Sequence, residues 1–392
     1  MTGRRIALIT SSYAPHVGGV ETHVAAIARE LSARGHDVEV WTVDRDARRD
    51  HAEADPFPVR YLPTPLPARH AASLARFAVR APGAWSQWAN AHRRLRPDVL
   101  HVHCFGPNGL YALALHRRFG TPLVVTSHGE TIGDDDSVFT QSALLRRGLR
   151  TAVTEAAVVT APSEYVLRDL RARFGLTGGA IVPNGVATDV PSDDAIRERL
   201  PLGPYLAAVG RLGRMKGFDL LLDAFARVRD GVGASAGAGG LLGVRLVIAG
   251  DGPERAALQR QAAERGLHDA VDFLGWCTPE QVASVLAGSR ALVVPSRSEA
   301  FGIAALEAWR AGTALVMTDR GGAGEFVRDG VDGILVDPLD VDALAAAITR
   351  VLADPAERAR MAAAGAERIP EFGWPRVTAQ YLAMYPRPGG AG

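Results

Sequence analysis

The sequence predicts an α/β protein made of two doubly wound parallel sheets in tandem. Three observations carry that prediction. Short apolar runs alternate with stretches of helical length and patterning, as in repeated β-α-β units. The alternation stops at a polar stretch, residues 187–198, and then begins afresh. Finally, 392 residues suffice for two domains of ordinary size, each with its own core.

Taken in order, residues 5–10 read as a buried strand, residues 20–34 as a helix that Gly35 stops, and residues 38–43 as the next strand. Further strands are expected at 99–103, 123–127 and 157–161. After the polar stretch the rhythm resumes with strands at 205–209, 245–249, 271–273, 291–294, 314–318 and 333–336, a second Rossmann-like sheet. Residues 231–240 are almost all Gly, Ala and Ser, with no side chains to build a core, and read as a mobile loop. Two such units imply a cleft between them, with ligands at the carboxyl ends of the strands.

Composition narrows the function. With 47% hydrophobic and 22% charged residues and no apolar run long enough to span a bilayer, the chain reads as globular and not membrane-spanning. The apolar run near Met1 is too short for a secretory signal, so cytoplasmic placement is expected. Cys104 and Cys277 are far apart and suggest neither a disulfide framework nor a zinc site. The net charge of +1 conceals a basic first half and an acidic second half. Much of the basic excess (Arg69, Arg76, Arg80, Arg93, Arg94, Arg96, Arg146, Arg147 and Arg150) sits in segments that look helical and carry Leu74, Phe77, Trp85 and Trp88. Such a face suits peripheral contact with an anionic lipid or an acidic acceptor, or is simply solvated above core aromatics. Nucleic-acid binding has no motif to support it.

Of the 44 lysines and arginines only Lys216 is a lysine, placed just after an apolar strand in Gly210-Arg211-Leu212-Gly213-Arg214-Met215-Lys216-Gly217. A compact ammonium on a flexible stem can reach a phosphate oxygen in a tight space; the alternative is a solvated helix start. Gly18-Gly19 follows the first strand and precedes a helix, so its amides can approach an anion, or it merely caps the helix. The segment from Val293 to Thr313 places Glu299 in a loop, a helix start near Phe301 or Gly302, and Glu307 inside that helix. Free amides of Phe301, Gly302 and Ile303 could hold a pyrophosphate, with the two carboxylates accepting from a sugar and a ribose on either side. Structurally, Glu299 could instead complement the helix dipole and Glu307 face solvent.

Together these motifs make the chain resemble the family 4 retaining glycosyltransferases of GT-B fold. The resemblance rests on Gly18-Gly19-Val20-Glu21, Ser127-His128-Gly129, Val182-Pro183-Asn184-Gly185-Val186, Gly210-Arg211 to Lys216-Gly217, Gly250-Asp251-Gly252-Pro253 and the E-x7-E pair Glu299 and Glu307, in family order. It implies a first, acceptor-binding domain at 1–187, a nucleotide-sugar-binding domain at 188–373, and a helix at about 374–392, opened by Phe372-Gly373-Trp374, that crosses back to the first domain. It further implies a nucleotide diphosphate sugar donor, UDP- or GDP-linked, a hydroxyl acceptor (sugar, lipid-linked sugar or small molecule), and no metal or other cofactor. Arg211 and Lys216 would neutralise the diphosphate, Glu299 contact the transferred sugar, and Glu307 bind the ribose. His128 would face the donor sugar, and Gly18 and Gly19 lie against phosphates near the acceptor.

Some features depart from the family or stay open. Ala300, Ala304 and Ala314 replace commoner Gly or Pro residues, and Trp309 is unusually bulky. Asp134-Asp135-Asp136 could hold a metal but reads better as a solvated or acceptor-contacting loop. His101 and His103 are expected on opposite faces of their strand, which disfavours a metal pair. Acceptor specificity is expected in loops 56–67 and 132–141. A nucleotide-sugar epimerase and a non-catalytic sugar-nucleotide-binding protein remain alternatives; a dehydrogenase lacks its G-x-G-x-x-G fingerprint.

Overall fold

The computed structural model describes residues 3–16, 18–44, 55–67, 71–132, 138–234 and 243–387. The chain forms two compact units, Met1–Asn184 with Trp374–Gly392, and Gly185–Gly373.

In chain order, the first unit contains β1 (Arg5–Thr10), α1 (Gly19–Ala33), β2 (Asp37–Val43), β3 (Val59–Leu62), α2 (Ala71–Leu95), β4 (Val99–His103) and α3 (Pro107–Phe119). It continues with β5 (Leu123–Thr126), α4 (Val138–Gln141), α5 (Ala143–Glu155), β6 (Val158–Ala161), α6 (Glu164–Phe174) and β7 (Ala180–Ile181). The seven strands are all parallel in the order β3-β2-β1-β4-β5-β6-β7, so strand order reverses between β1 and β4. Helix α1 buries Val24, Ile27, Ala28 and Leu31, the spacing of one helical face. Helix α3 opens on Pro107 and closes on Gly120 at φ +72, the residues those positions favour.

The second unit contains α7 (Asp194–Arg197), β8 (Tyr205–Val209), α8 (Phe218–Ala234), β9 (Arg245–Ala249), α9 (Arg255–Glu264), β10 (Val271–Gly275), α10 (Pro279–Gly288) and β11 (Ala291–Val294). There follow α11 (Ile303–Arg310), β12 (Ala314–Thr318), β13 (Ile334–Val336), α12 (Val341–Ala353) and α13 (Pro355–Ala366). Its parallel sheet runs β10-β9-β8-β11-β12-β13 and reverses between β8 and β11. The last helix, α14 (Trp374–Met384), belongs to the first unit. There it packs on α1, accepting from Arg34 Nη2 at the Pro375 carbonyl, 2.6 Å, and bringing the Tyr385 hydroxyl to 2.7 Å from His101 Nδ1.

Both doubly wound sheets are as the sequence predicts, and several details differ. The expected loop 56–67 contains β3, an edge strand tied to β2 where buried Glu39 accepts from Arg60 Nε and Nη2 at 2.6 Å each. Four residues between prolines are too few to show a strand period. Helix α8 continues to Ala234, into the stretch expected as loop, and residues 235–242 lie outside the described residues. Arg69 and Asp134-Asp135-Asp136 also lie outside them. His101 and His103 share one face of β4 with ring centroids 4.0 Å apart, and both are fully buried. Side chains two residues apart on a strand point the same way, so the expected opposition was a miscount of the period.

Trp309 accounts for its own bulk. Its ring is fully buried against Phe326 and Phe372, and Nε1 donates to the Asp332 carbonyl at 2.8 Å. Arg368 lies 5.2 Å from the ring centroid and pairs with the buried Asp332 carboxylate at 3.0 Å. Helix α13 offers Gly365 at the contact, where a Cβ would sit 2.2 Å from Trp309 Cδ1. Large and small residues thus interlock between α11 and α13. Gly365→Ala should destabilise the second unit by about 1–3 kcal/mol through overpacking, despite alanine's better helix propensity. The same change made in a Trp309→Phe background should cost clearly less, and urea unfolding of the four proteins measures that coupling. Strictly additive effects would refute the interlock.

Candidate active site

The strand-order reversal of the second unit lies between the carboxyl ends of β8 and β11, where sheets of this type bind ligands. Beyond β8 the chain passes Gly210 and the exposed Arg211 into a 3-10 turn at Arg214–Lys216. Gly217 closes that turn at φ +68, and a Cβ on it would lie 2.0 Å from the Pro295 carbonyl oxygen. Only glycine lets the turn rest directly on the end of β11. In consequence Lys216 Nζ donates to Glu299 Oε2 at 2.7 Å, and Ser296 Oγ donates to the same oxygen at 2.9 Å.

Arg297 braces the two loops from the side. It donates to both carboxylate oxygens of Asp219 at 2.7 and 2.5 Å and to the Arg214 carbonyl at 2.7 Å, while its amide donates to Met215 O at 2.9 Å. Burial opposes the charge on Asp219, yet the bidentate guanidinium prevails and holds the carboxyl below its ordinary range. Glu299 is fixed by its backbone as well: its amide donates to Arg320 O and its carbonyl accepts from Gly322.

Helix α11 begins at Ile303, one or two residues later than expected, with Gly302 as its N-cap at φ +99. A Cβ on Gly302 would stand 2.4 Å from Met317 Cε. The amides of Phe301, Gly302 and Ile303 donate to no backbone carbonyl among the described residues, as first-turn amides do. The Phe301 side chain is core, stacked on Phe326 with centroids 4.3 Å apart, so only its backbone is available. Glu307 is the fifth residue of α11, about 6 Å along the axis from the first. It is half-buried, and burial pushes its carboxyl pKa up while Arg310 opposes. Lys216 and Glu299 are therefore joined directly, whereas Arg211 and Glu307 stand outside that pair.

In the first unit, Gly18 is the extended N-cap of α1 and its carbonyl accepts from the Thr22 amide at 3.0 Å. A Cβ on Gly18 would lie 2.7 Å from Glu21 Oε2, so the first turn of this helix already carries a carboxylate beside Gly18 and Gly19. His128 follows β5 and lies in a cluster with His23 and His103: its Nε2 is 3.2 Å from His103 Nδ1, and its ring meets that of His23 edge-on at 4.8 Å. Burial lowers the His128 pKa to about 4, against a raising contact from Asn184, and lowers His101 to about 3. His23 and His103 fall well below the ordinary value for the same first reason. At neutral pH these imidazoles are uncharged.

Sequence reasoning missed Glu130, His23 and the side chain of Asn184. Glu130 accepts from the amides of Phe105 at 2.9 Å and His128 at 2.7 Å and from Ser127 Oγ at 2.9 Å, tying the loop after β4 to the one after β5. Burial raises its pKa against those hydrogen bonds. An acid directly following Ser127-His128-Gly129 was the available signal.

Comparison with known proteins identifies the family and the fold. The family model for Glycosyltransferase Family 4 matches residues 17–190, and that for Glycosyl transferases group 1 matches residues 192–368. A D-inositol 3-phosphate glycosyltransferase of Acidothermus cellulolyticus is 32% identical over 428 residues, covering 98% of this chain and 90% of the relative. Among solved structures, sucrose-phosphate synthase from Thermosynechococcus elongatus has a TM-score of 0.79 at 23% identity, covering 97% of this chain and 98% of the other. Anabaena HepE in complex with UDP has a TM-score of 0.73 at 22% identity with the same coverage. Neither the matched descriptions nor these relatives point to an epimerase. With its two parallel sheets in the GT-B fold, the chain belongs to the family 4 glycosyltransferases.

Proposed function

We propose that this glycosyltransferase moves a hexose-type sugar from a UDP- or GDP-linked donor to a hydroxyl acceptor, with retention of anomeric configuration and without a metal ion. The observation that carries the proposal is the 2.7 Å contact of Lys216 with Glu299 at the strand-order reversal, next to the first turn of α11. The UDP held by HepE supports a nucleotide donor, and the name of the Acidothermus relative makes a phosphorylated polyol the first acceptor to try.

In this reading Lys216 and Arg211 neutralise the donor diphosphate, and the amides of Phe301, Gly302 and Ile303 take its oxygens at a helix start. Glu299 accepts from hydroxyls of the transferred sugar while aiming Lys216, and Glu307 accepts from the ribose. His128, uncharged, meets the donor sugar by hydrogen bonding and supplies no positive charge. Gly18 and Gly19 lie against phosphates once the Glu21 carboxylate swings aside. As the bond between the anomeric carbon and the diphosphate breaks, the acceptor oxygen attacks the same face and its proton passes to the departing phosphate oxygen. Negative charge grows on the diphosphate, where the ammonium and the helix start stabilise it.

The exposed face of the first unit supports a further role at a membrane surface. Leu74 and Val79 of α2 are 46% and 81% exposed and alternate with exposed Arg76 and Arg80. Trp88 belongs to the core, so it is the aliphatic side chains that are free to enter an interface. Among the described residues no helix is long and apolar enough to cross a membrane.

Lys216→Ala should lower kcat by about 10² to 10³ with an unchanged circular dichroism spectrum, and turnover of the unaltered enzyme should survive EDTA. Near-normal transfer by the variant would sink the donor assignment. Calorimetric titration with UDP and GDP identifies the base. Affinity should rise with pH as Glu307, whose pKa lies above the ordinary carboxylate range, loses its proton and becomes a full acceptor. Glu307→Gln should flatten that dependence; an unaltered pH profile would remove Glu307 from the ribose site. Sedimentation with vesicles should show binding to anionic but not neutral lipid, weakened in Val79→Asp, and equal binding to both would count against the interfacial face.

A further inference from the structure

We propose that Glu130 is a positioning residue for sugar transfer: its carboxylate joins the loops that follow β4 and β5 and thereby fixes the backbone at His128. The proposal rests on the reading in which His128 meets the transferred sugar, and adds to it the side chain that aims His128.

Three donors converge on this one half-buried carboxylate. Oε1 accepts from the Phe105 amide at 2.9 Å, and Oε2 accepts from the His128 amide at 2.7 Å and from Ser127 Oγ at 2.9 Å. The first donor follows β4 and the other two follow β5, so neither loop can shift without giving up a bond to the same side chain. On the β5 side, Ser127 Oγ also accepts from the Gly129 amide at 3.4 Å, and Gly129 turns back at φ +93. His128 therefore sits in the bend of a turn that Glu130 closes from its far end. On the β4 side, Cys104 precedes Phe105 at φ +57, a region that side-chain-bearing residues rarely occupy. Such conformations persist where the surroundings hold them. Here the Cys104 amide donates to Thr126 O at 3.0 Å, its carbonyl accepts from Asn108 Nδ2 at 3.3 Å, and the bond from Phe105 to Glu130 fastens the next residue.

The arrangement requires a carboxylate of glutamate length. Two of the three donors are backbone N–H groups, which cannot accept. Glutamine would have to turn its NH₂ towards the Phe105 amide or the His128 amide, and so release one loop. Aspartate, one methylene shorter, would reach one loop at the expense of the other. The His128 ring is held separately: its Nε2 is 3.2 Å from His103 Nδ1, and Asn184 contacts it. Backbone and ring are thus fixed from different sides, which leaves the imidazole one orientation towards a sugar. In this reading Glu130 acts only through His128, and the nucleotide is bound by residues of the second unit.

Glu130→Gln should lower turnover of UDP- or GDP-sugars, followed as release of UDP or GDP, by about 10- to 100-fold. Affinity for UDP and GDP alone, read by calorimetry, should stay within about twofold of the unaltered protein's, because neither carries the sugar that His128 meets. A purely structural brace would have no reason to separate the two measurements. His128→Ala should also lose turnover, and the double variant should be no slower than His128→Ala, since nothing remains to be aimed. Thermal unfolding reports whether each variant folds; where Glu130→Gln does not, Glu130→Asp carries the same comparison. Near-normal turnover by the Glu130 variant, equal loss of turnover and of nucleotide affinity, or losses that multiply in the double variant would overturn the assignment alone. Unchanged turnover by His128→Ala would overturn the sugar reading itself, and this assignment with it.

Discussion

The close approach of the Lys216 turn to the end of β11 is the constraint on which the second unit's chemistry depends. It exists because Gly217 has no Cβ to collide with Pro295, and it is held because Arg297 clamps Asp219 and the Arg214 carbonyl at once. The ion pair that results is 39% exposed on the lysine side and 11% on the glutamate side. A pair of that kind contributes little to stability. Its value lies in direction: an ammonium on a four-carbon stem would otherwise sample many positions, and Glu299 fixes one.

The first unit handles its polar centre in the opposite way. Instead of pairing charges it removes them, keeping four histidines uncharged in a shared pocket of aromatic rings and hydroxyls contributed by Tyr381 and Tyr385. Glu130 gathers three donors there, and their combined pull is still less than the cost of its burial. One unit therefore holds its polar centre by an ion pair, and the other by burying uncharged imidazoles.

Most of the architecture was legible because parallel strands announce themselves as apolar runs, and four strands of the second sheet coincide with their expected bounds: 205–209, 245–249, 291–294 and 314–318. The short edge strands β3 and β7 were not legible, since four and two residues carry no period. Lys216 and Glu299 stood out through rarity and spacing, but their mutual contact depends on a glycine clearance that spacing does not encode. His23 was invisible for a related reason. It sits on the buried face of α1, where the helical period leads one to expect an apolar residue, and only the tertiary arrangement of β4 and the following loops gives it histidine neighbours.

The return of α14 to the first unit also orders events in time. A ribosome delivers the N-terminal sheet and then all of Gly185–Gly373 before the residues from Trp374 onward emerge. Throughout that interval the nascent first unit has no Tyr381 above His23 and no Tyr385 beside His101. Its assembly waits for residues translated after the whole second unit, so a message truncated at Gly373 would release a protein whose histidine chamber stands unroofed.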